Sequence, residues 1–180
     1  RIVVLSVSSK GDFLSQWRAY SENGGYSIKL RTELFKAKDY IENHYLAKCI
    51  YSKEKLSVKI DECIEWHQDK FKTSTANQSQ EMIDHHLDNC LRGLVGTIRA
   101  LATLFKHESF SGESEWRYVV AYPQGNELNI RNRNGLLVPY ILLSFPERSI
   151  SQVTVAPGSR QLLAKFSAED LLSNIDKDIE

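Results

Sequence analysis

Two glutamates and an arginine fall within five positions in the stretch Glu113-Ser114-Glu115-Trp116-Arg117-Tyr118-Val119-Val120, which opens onto an apolar run. On a strand alternate side chains share a face. Glu113, Glu115 and Arg117 are therefore expected to point one way, and Trp116 and Tyr118 the other. One reading makes Glu115 a carboxylate held at a strand edge for acid/base or charge-stabilising work, with Arg117 or Arg18 fixing its position and lowering its pKa. The other makes it half of a structural ion pair at the edge of the core, because such pairs perturb carboxylates as readily as catalytic sites do. Glu113, which precedes the apolar run, is expected to be solvated.

A second aromatic-arginine patch lies near the start, Leu14-Ser15-Gln16-Trp17-Arg18-Ala19-Tyr20. Arg18, between Trp17 and Tyr20, has the chemistry to stack on an aromatic ring and bind an anion with its fork, or simply to cover a buried Trp17. The two patches are expected to converge, so that Glu115 meets Arg18 in one polar site. Other constellations are poorer. His86 and Cys90 lie four apart, as two metal ligands on a helix would, but third and fourth ligands and an HExxH pattern are missing, so this is read as a helix face. Arg131-Asn132-Arg133-Asn134-Gly135 reads as a hairpin tip. Lys106-His107 reads as the end of a helix, where cations suit the dipole. No P-loop, GxSxG or GxGxxG pattern occurs.

The elements that position these residues are those of a globular chain. The 180 residues are 42% hydrophobic and 26% charged, too apolar for disorder. Lysine and arginine number 23, as do aspartate and glutamate, so no grip on nucleic acid through phosphate neutralisation is advertised. No apolar run reaches the roughly 18 residues of a membrane span. Cys49, Cys63 and Cys90 lack CxxC spacing and read as reduced, cytosolic thiols. The chain opens without Met on Ile2-Val3-Val4-Leu5, so an N-terminal segment is expected upstream.

Residues 1–8 read as a buried strand. Asp12 is expected to cap a helix over 13–20, with strands over 26–30 and 46–51 to follow. Helices are expected over 52–71 and 81–105, joined by a mobile loop over 72–80, rich in Ser, Thr, Asn and Gln. Gly93 and Gly96 weaken the second helix by roughly 1 kcal/mol each and suit a close neighbouring backbone. Strands are expected over 116–122, 127–131, 136–145 and 150–155. Their turns fall at Pro123-Gln124-Gly125, Asn132 to Gly135 and Pro146-Glu147. Ser159 is expected to cap a short helix and Ser167 another running to Ile175. The expected fold is α+β, one domain over 1–180 with a mixed or mostly antiparallel sheet, a helical insertion over 52–106 and C-terminal strands over 113–156.

The order Val4-Leu5-Ser6-Val7-Ser8, then Leu14 to Tyr20, then Gly24-Gly25-Tyr26-Ser27-Ile28 resembles the core of the prokaryotic domain-of-unknown-function family numbered twenty-nine seventy-one. Phe105-Lys106-His107 through Glu113-Ser114-Glu115-Trp116-Arg117 is similar to its later signature. Val138-Pro139-Tyr140 and Ile150 to Pro157-Gly158 resemble its closing strand and turn, with Pro and Gly in the opposite order here. The resemblance implies a bacterial cytosolic domain associated with phage-related genomes and, in some members, with defence or abortive infection. It leaves ligand and partner open, a protein being one candidate partner. At the level of fold analogy alone, Ser6-x-Ser8 with Glu113-x-Glu115 is also similar to ADP-ribosyltransferases. That likeness implies NAD as cofactor: Glu115 would stabilise a ribosyl cation, Glu113 would position the acceptor, Ser6 would support the nucleotide and Arg18 would pair with phosphates. The expected site is thus Glu115 and Glu113 if the chain is an enzyme, with Ser6, Ser8, Trp17, Arg18, Tyr20 and Arg117 as ligand-binding residues. If it is not, the same residues form a structural or an anion- or peptide-binding hub.

Overall fold

The computed structural model describes residues 2–21, 24–36, 44–121, 128–143 and 149–173. In chain order the elements are β1 (Ile2–Ser8), α1 (Leu14–Tyr20), β2 (Tyr26–Leu30), a 3-10 turn (Thr32–Lys36), β3 (His44–Lys48), α2 (Lys53–Thr75) and α3 (Gln80–Leu104). A second 3-10 turn (Glu108–Glu113), β4 (Glu115–Ala121), β5 (Asn129–Arg133), β6 (Leu136–Tyr140), β7 (Ile150–Val155) and α4 (Gln161–Ser173) complete it. The fold is α+β, and among the described residues the paired strands are all antiparallel.

β4 is the centre of a three-stranded sheet ordered β1-β4-β3. Its Tyr118, Val119 and Val120 are buried, and with Cys49, Leu104 and Ala156 they are the buried apolar residues of the described chain. The Tyr118 ring lies 5.3 Å from Phe35 and 5.4 Å from His44. Register decides which side chains meet. Ser8 stands opposite Glu115, Ser6 opposite Arg117, and Ala47 opposite Arg117. Directly opposed residues of an antiparallel pair share a face. One face therefore carries Ser6, Ser8, Glu115, Arg117, Ala47 and Val119, and the other carries Leu5, Val7, Trp116, Tyr118 and Leu46.

β2 and β7 pair separately, and α4 lies beside β7, with the Tyr26 hydroxyl donating to the Ala164 carbonyl at 3.4 Å. β5 and β6 form the expected hairpin. Asn134 and Gly135 both take positive φ, 52° and 80°, as a type I′ turn requires. The Gly135 amide donates to the Asn132 side chain at 3.0 Å.

Several expected boundaries move for local reasons. The expected loop over 72–80 is helical to Thr75. The hydroxyls of Thr73 and Thr75 donate to the carbonyls of Asp69 and Phe71, so their hydrogen bonding stays within the helix instead of breaking it. Asp12 does not cap α1. Phe13 holds the cap position without a side-chain bond, and Asp12 instead accepts from Trp17 Nε1 at 2.6 Å. Ser167 starts no new helix, since α4 carries neither Gly nor Pro and runs through it. The strand expected over 46–51 stops at Lys48. Beyond it the Cys49 amide donates to the Glu115 carbonyl and the Ile50 amide to Leu104 at the end of α3. The turns expected at Pro123-Gln124-Gly125 and Pro146-Glu147, and the helix end at Ile175, lie outside the described residues.

Candidate functional site

The site is built where α3 returns to β4. α3 ends at Leu104, and Phe105 pairs in parallel with Ile50; the Lys106 amide donates to the Ile50 carbonyl at 3.0 Å. This anchor holds Lys106 at the edge of the sheet. The 3-10 turn over 108–113 follows, capped by the His107 ring, which accepts from the Ser109 amide. Ser114 then takes a left-handed conformation with φ 48°. That residue reverses the chain sharply, so Glu113 on the turn and Glu115 on β4 both reach the same ammonium.

The result is a charged quartet. Lys106 Nζ donates to Glu115 Oε2 at 2.6 Å and also to Glu113 Oε2. Arg117 Nε donates to Glu115 Oε1 at 2.8 Å, and its Nη1 donates to the Thr103 carbonyl in the last turn of α3. The side chains are largely covered: 7% of Glu115 is exposed, 19% of Arg117 and 18% of each of the other two. Two positive and two negative groups leave the quartet with no net charge. Burial pushes the Glu115 carboxyl up, but hydrogen bonds from Arg117, Lys106 and Ser6 outweigh it and bring the pKa down to about 2. Burial pulls the Lys106 ammonium down, and its bonds to Glu113 and Glu115 more than reverse that.

Neighbours of the quartet complete the frame. The Tyr51 hydroxyl accepts from the Glu115 amide at 2.9 Å. Burial, and then the nearby Glu115 charge, raise the Cys49 thiol above its ordinary pKa. From β1, Ser8 Oγ donates to the Glu113 carbonyl at 2.6 Å, the Ser9 amide to the Ser114 carbonyl at 3.2 Å, and Lys10 Nζ to the Gly112 carbonyl at 3.0 Å. The end of β1 thus grips the backbone of the turn that carries Glu113.

The structure brings together Glu113, Glu115, Arg117, Ser6 and Ser8. It does not bring in the α1 patch. Arg18 and Tyr20 are exposed, and Trp17 spends its indole N–H on Asp12. The expected pairing of Glu115 with Arg18 is therefore corrected: the guanidinium on Glu115 is that of Arg117, two residues along its own strand. Glu113 is likewise not solvated but paired. The largest omission is Lys106, read from sequence as a cation for the α3 dipole. Arg117 takes that place at the α3 terminus instead, a common use of a cation there. The placing of Lys106 seven residues before Glu113 and nine before Glu115 was the available signal. Cys90 donates to the His67 carbonyl at 3.3 Å, and among the described residues no group of three or more His, Cys, Asp or Glu side chains is gathered to hold a metal ion. No described helix is long and apolar enough to cross a membrane.

The fold and the site define an α+β architecture in which a largely covered, charge-balanced quartet ties a long helix to the central strand of a small antiparallel sheet. The model of one family, described as Protein of unknown function (DUF2971), matches residues 16–118. The chain belongs to that family. The match takes in α1 from Gln16 onward, the helical pair, Lys106 and the Glu113 to Arg117 stretch; Ser6, Ser8 and the segment 138–158 lie outside it. No curated protein and no solved structure matches the chain, and the likeness to ADP-ribosyltransferases has no counterpart among these findings.

Proposed function

We propose that the chain is a non-catalytic bacterial cytosolic module in which Lys106, Glu113, Glu115 and Arg117 form a structural hub. The observation that carries this reading is the engagement of both Glu115 oxygens by cations. Both of its oxygens accept charged hydrogen bonds, and its pKa of about 2 keeps it ionised at any physiological pH. A general acid needs a proton to give, and a group stabilising a nascent cation needs an oxygen free to face it. Glu115 holds no such proton at physiological pH, and each of its oxygens already faces a cation of the fold. The neutral sum of the quartet likewise leaves no unpaired cation to hold an anion. Three free thiols among the described residues suit a reducing compartment.

The alternative is an NAD-consuming enzyme using Glu115. One observation favours it: Ser6 and Ser8 on β1 stand directly across from Arg117 and Glu115, as the Ser-strand and Glu-strand pairing implies. The residues present do not otherwise fit NAD. Arg18, which was to take the phosphates, is exposed on α1, and Glu115 is occupied by Lys106 and Arg117. A described cavity of about 380 Å³ lies elsewhere, lined by Cys63, Trp66 and His67 on α2 and Thr97 and Leu101 on α3.

The experiment is NAD consumption by the parent and by Glu115→Gln, read beside thermal unfolding. The hub reading expects no consumption by either and a lower melting temperature for the variant. NAD turnover in the parent that is lost in a folded Glu115→Gln protein overturns it.

A further inference from the structure

α3 carries two apolar stripes. Ile83, Cys90, Leu94 and Leu101 are partly buried on the side that meets α2, where Cys90 bonds His67 and Gly93 approaches the His67 ring. The second stripe is Leu87, Leu91, Val95 and Ile98, exposed by 43%, 50%, 46% and 36%. At 3.6 residues per turn these four lie within a sector of about 80° and run for about 17 Å along the helix. Single exposed leucines are ordinary, whereas a continuous three-turn stripe is the mark of an interaction surface.

Charge along one edge of the stripe narrows the choice of what it fits. Asp88 and Arg99 stand on the same side of the seam, about 60° to 80° from its centre on an ideal helix. Asp88 is bridged by Arg92 at 2.8 Å through largely exposed side chains. No ion pair of Arg99 occurs among the described residues.

We propose that this face of α3 packs against the same face of a second copy of the chain, with the two helices antiparallel about a twofold axis near Gly93. In that register Leu87 faces Ile98 of the second copy, and Leu91 faces Val95. A twofold axis perpendicular to both helices keeps a given edge on the same side of the seam in both copies. Asp88 of each copy therefore falls beside Arg99 of the other, giving two symmetric ion pairs. A parallel pair would set the charged edges on opposite sides of the seam and leave Arg99 unmatched. The self-complementarity of stripe and edge is what selects a second copy over an unrelated partner. The stripe is short, so the dimer forms at the weak end of specific association, in the micromolar range.

Sedimentation velocity of the full chain under reducing conditions, from about 5 to 500 μM, tests this. The parent shifts from monomer to dimer mass across that range. Leu91→Glu weakens association at least about tenfold, and Asp88→Arg and Arg99→Glu each do so by about tenfold. The Asp88→Arg/Arg99→Glu double reversal restores it to near the parent value. All three positions are exposed, and circular dichroism verifies that each variant is folded. A parent that stays monomeric overturns the proposal. So does a dimer indifferent to Leu91→Glu, or a double reversal as weak as its parts.

Discussion

Replacing Glu115 by Gln removes one charge at nearly constant volume, and its effect follows from the geometry. The carboxyl has a pKa of about 2 in the fold against an ordinary 4.5, so the folded state favours the ionised form by about 3 kcal/mol. In the variant the amide oxygen accepts from only one of the two cations, and the amide NH2 turns donors toward the other, so either Arg117 or Lys106 loses its bond to residue 115. Stripping one member from a buried ion pair costs about 3–5 kcal/mol, in agreement. For a chain of this length, about 3 kcal/mol is a fall in melting temperature of about 6–12 °C at pH 7. The pH dependence gives a sharper check. A carboxyl whose folded pKa is depressed contributes its full stability above its unfolded value near 4.5 and loses it as pH falls toward the folded value near 2. The stability gap between parent and Glu115→Gln should thus be constant from pH 7 to about 5, about half as large at pH 3, and nearly closed at pH 2. Chemical unfolding monitored by circular dichroism at these pH values measures it. A gap under about 1 kcal/mol at pH 7, or one of unchanged size at pH 2, refutes the argument that charged hydrogen bonds to Glu115 hold the quartet together.

Arg117→Met removes the donor that closes α3, and hydrogen exchange should show amide protection falling in Ala102 to Leu104 before it falls elsewhere in the helix; Arg117→Lys, a compact point charge without the fork, should recover only part of it. Gly96→Ala should raise stability by about 1 kcal/mol, since a Cβ there meets nothing within 4 Å, whereas at Gly93 it lies 3.3 Å from the ring of His67, itself fixed by a 2.9 Å bond to the Cys63 carbonyl. Equal gains in the two melting temperatures would contradict the close helix packing at Gly93. Cys49 is 5% exposed with its thiol pKa raised by burial, so a thiol reagent at pH 7 should modify it only at the rate of unfolding, with Cys63 and Cys90 reacting first in a peptide-mapped time course.

Much of the fold was legible because periodicity states it directly. The alternation in Tyr26 to Leu30, the three- and four-residue steps from Met82 onward, and Asn134-Gly135 each describe one local geometry. The helix over 72–75 was missed because hydroxyl residues serve loops and helix backbones alike, and composition does not distinguish the two uses. The site was half legible. Glu115 and Arg117 share a strand, so alternation places them on one face, and Ser6 and Ser8 follow once β1 pairs with β4. Lys106 and Glu113 were assigned the wrong surroundings because their meeting depends on one left-handed residue, Ser114, whose conformation no spacing rule announces. Arg18 failed for the opposite reason. Its aromatic neighbours suggested a partner across the fold, while Asp12 already supplied a local bond for Trp17.

The clamp at the base of α3 also fixes how the α2–α3 helix pair can move. A helix of 25 residues is about 37 Å long, and here the Arg117 bond and the Ile50–Phe105 bridge grip its last turn and the residue just beyond. The turn at residues 76–79 sits at the far end of a stiff lever whose fulcrum is the sheet. A sideways excursion of about 4 Å at that tip needs a rotation of only about 6°, and it displaces the clamped turn by less than about half an ångström. Whatever pushes on the tip is therefore felt at Glu115 as a strongly reduced displacement and a correspondingly amplified force.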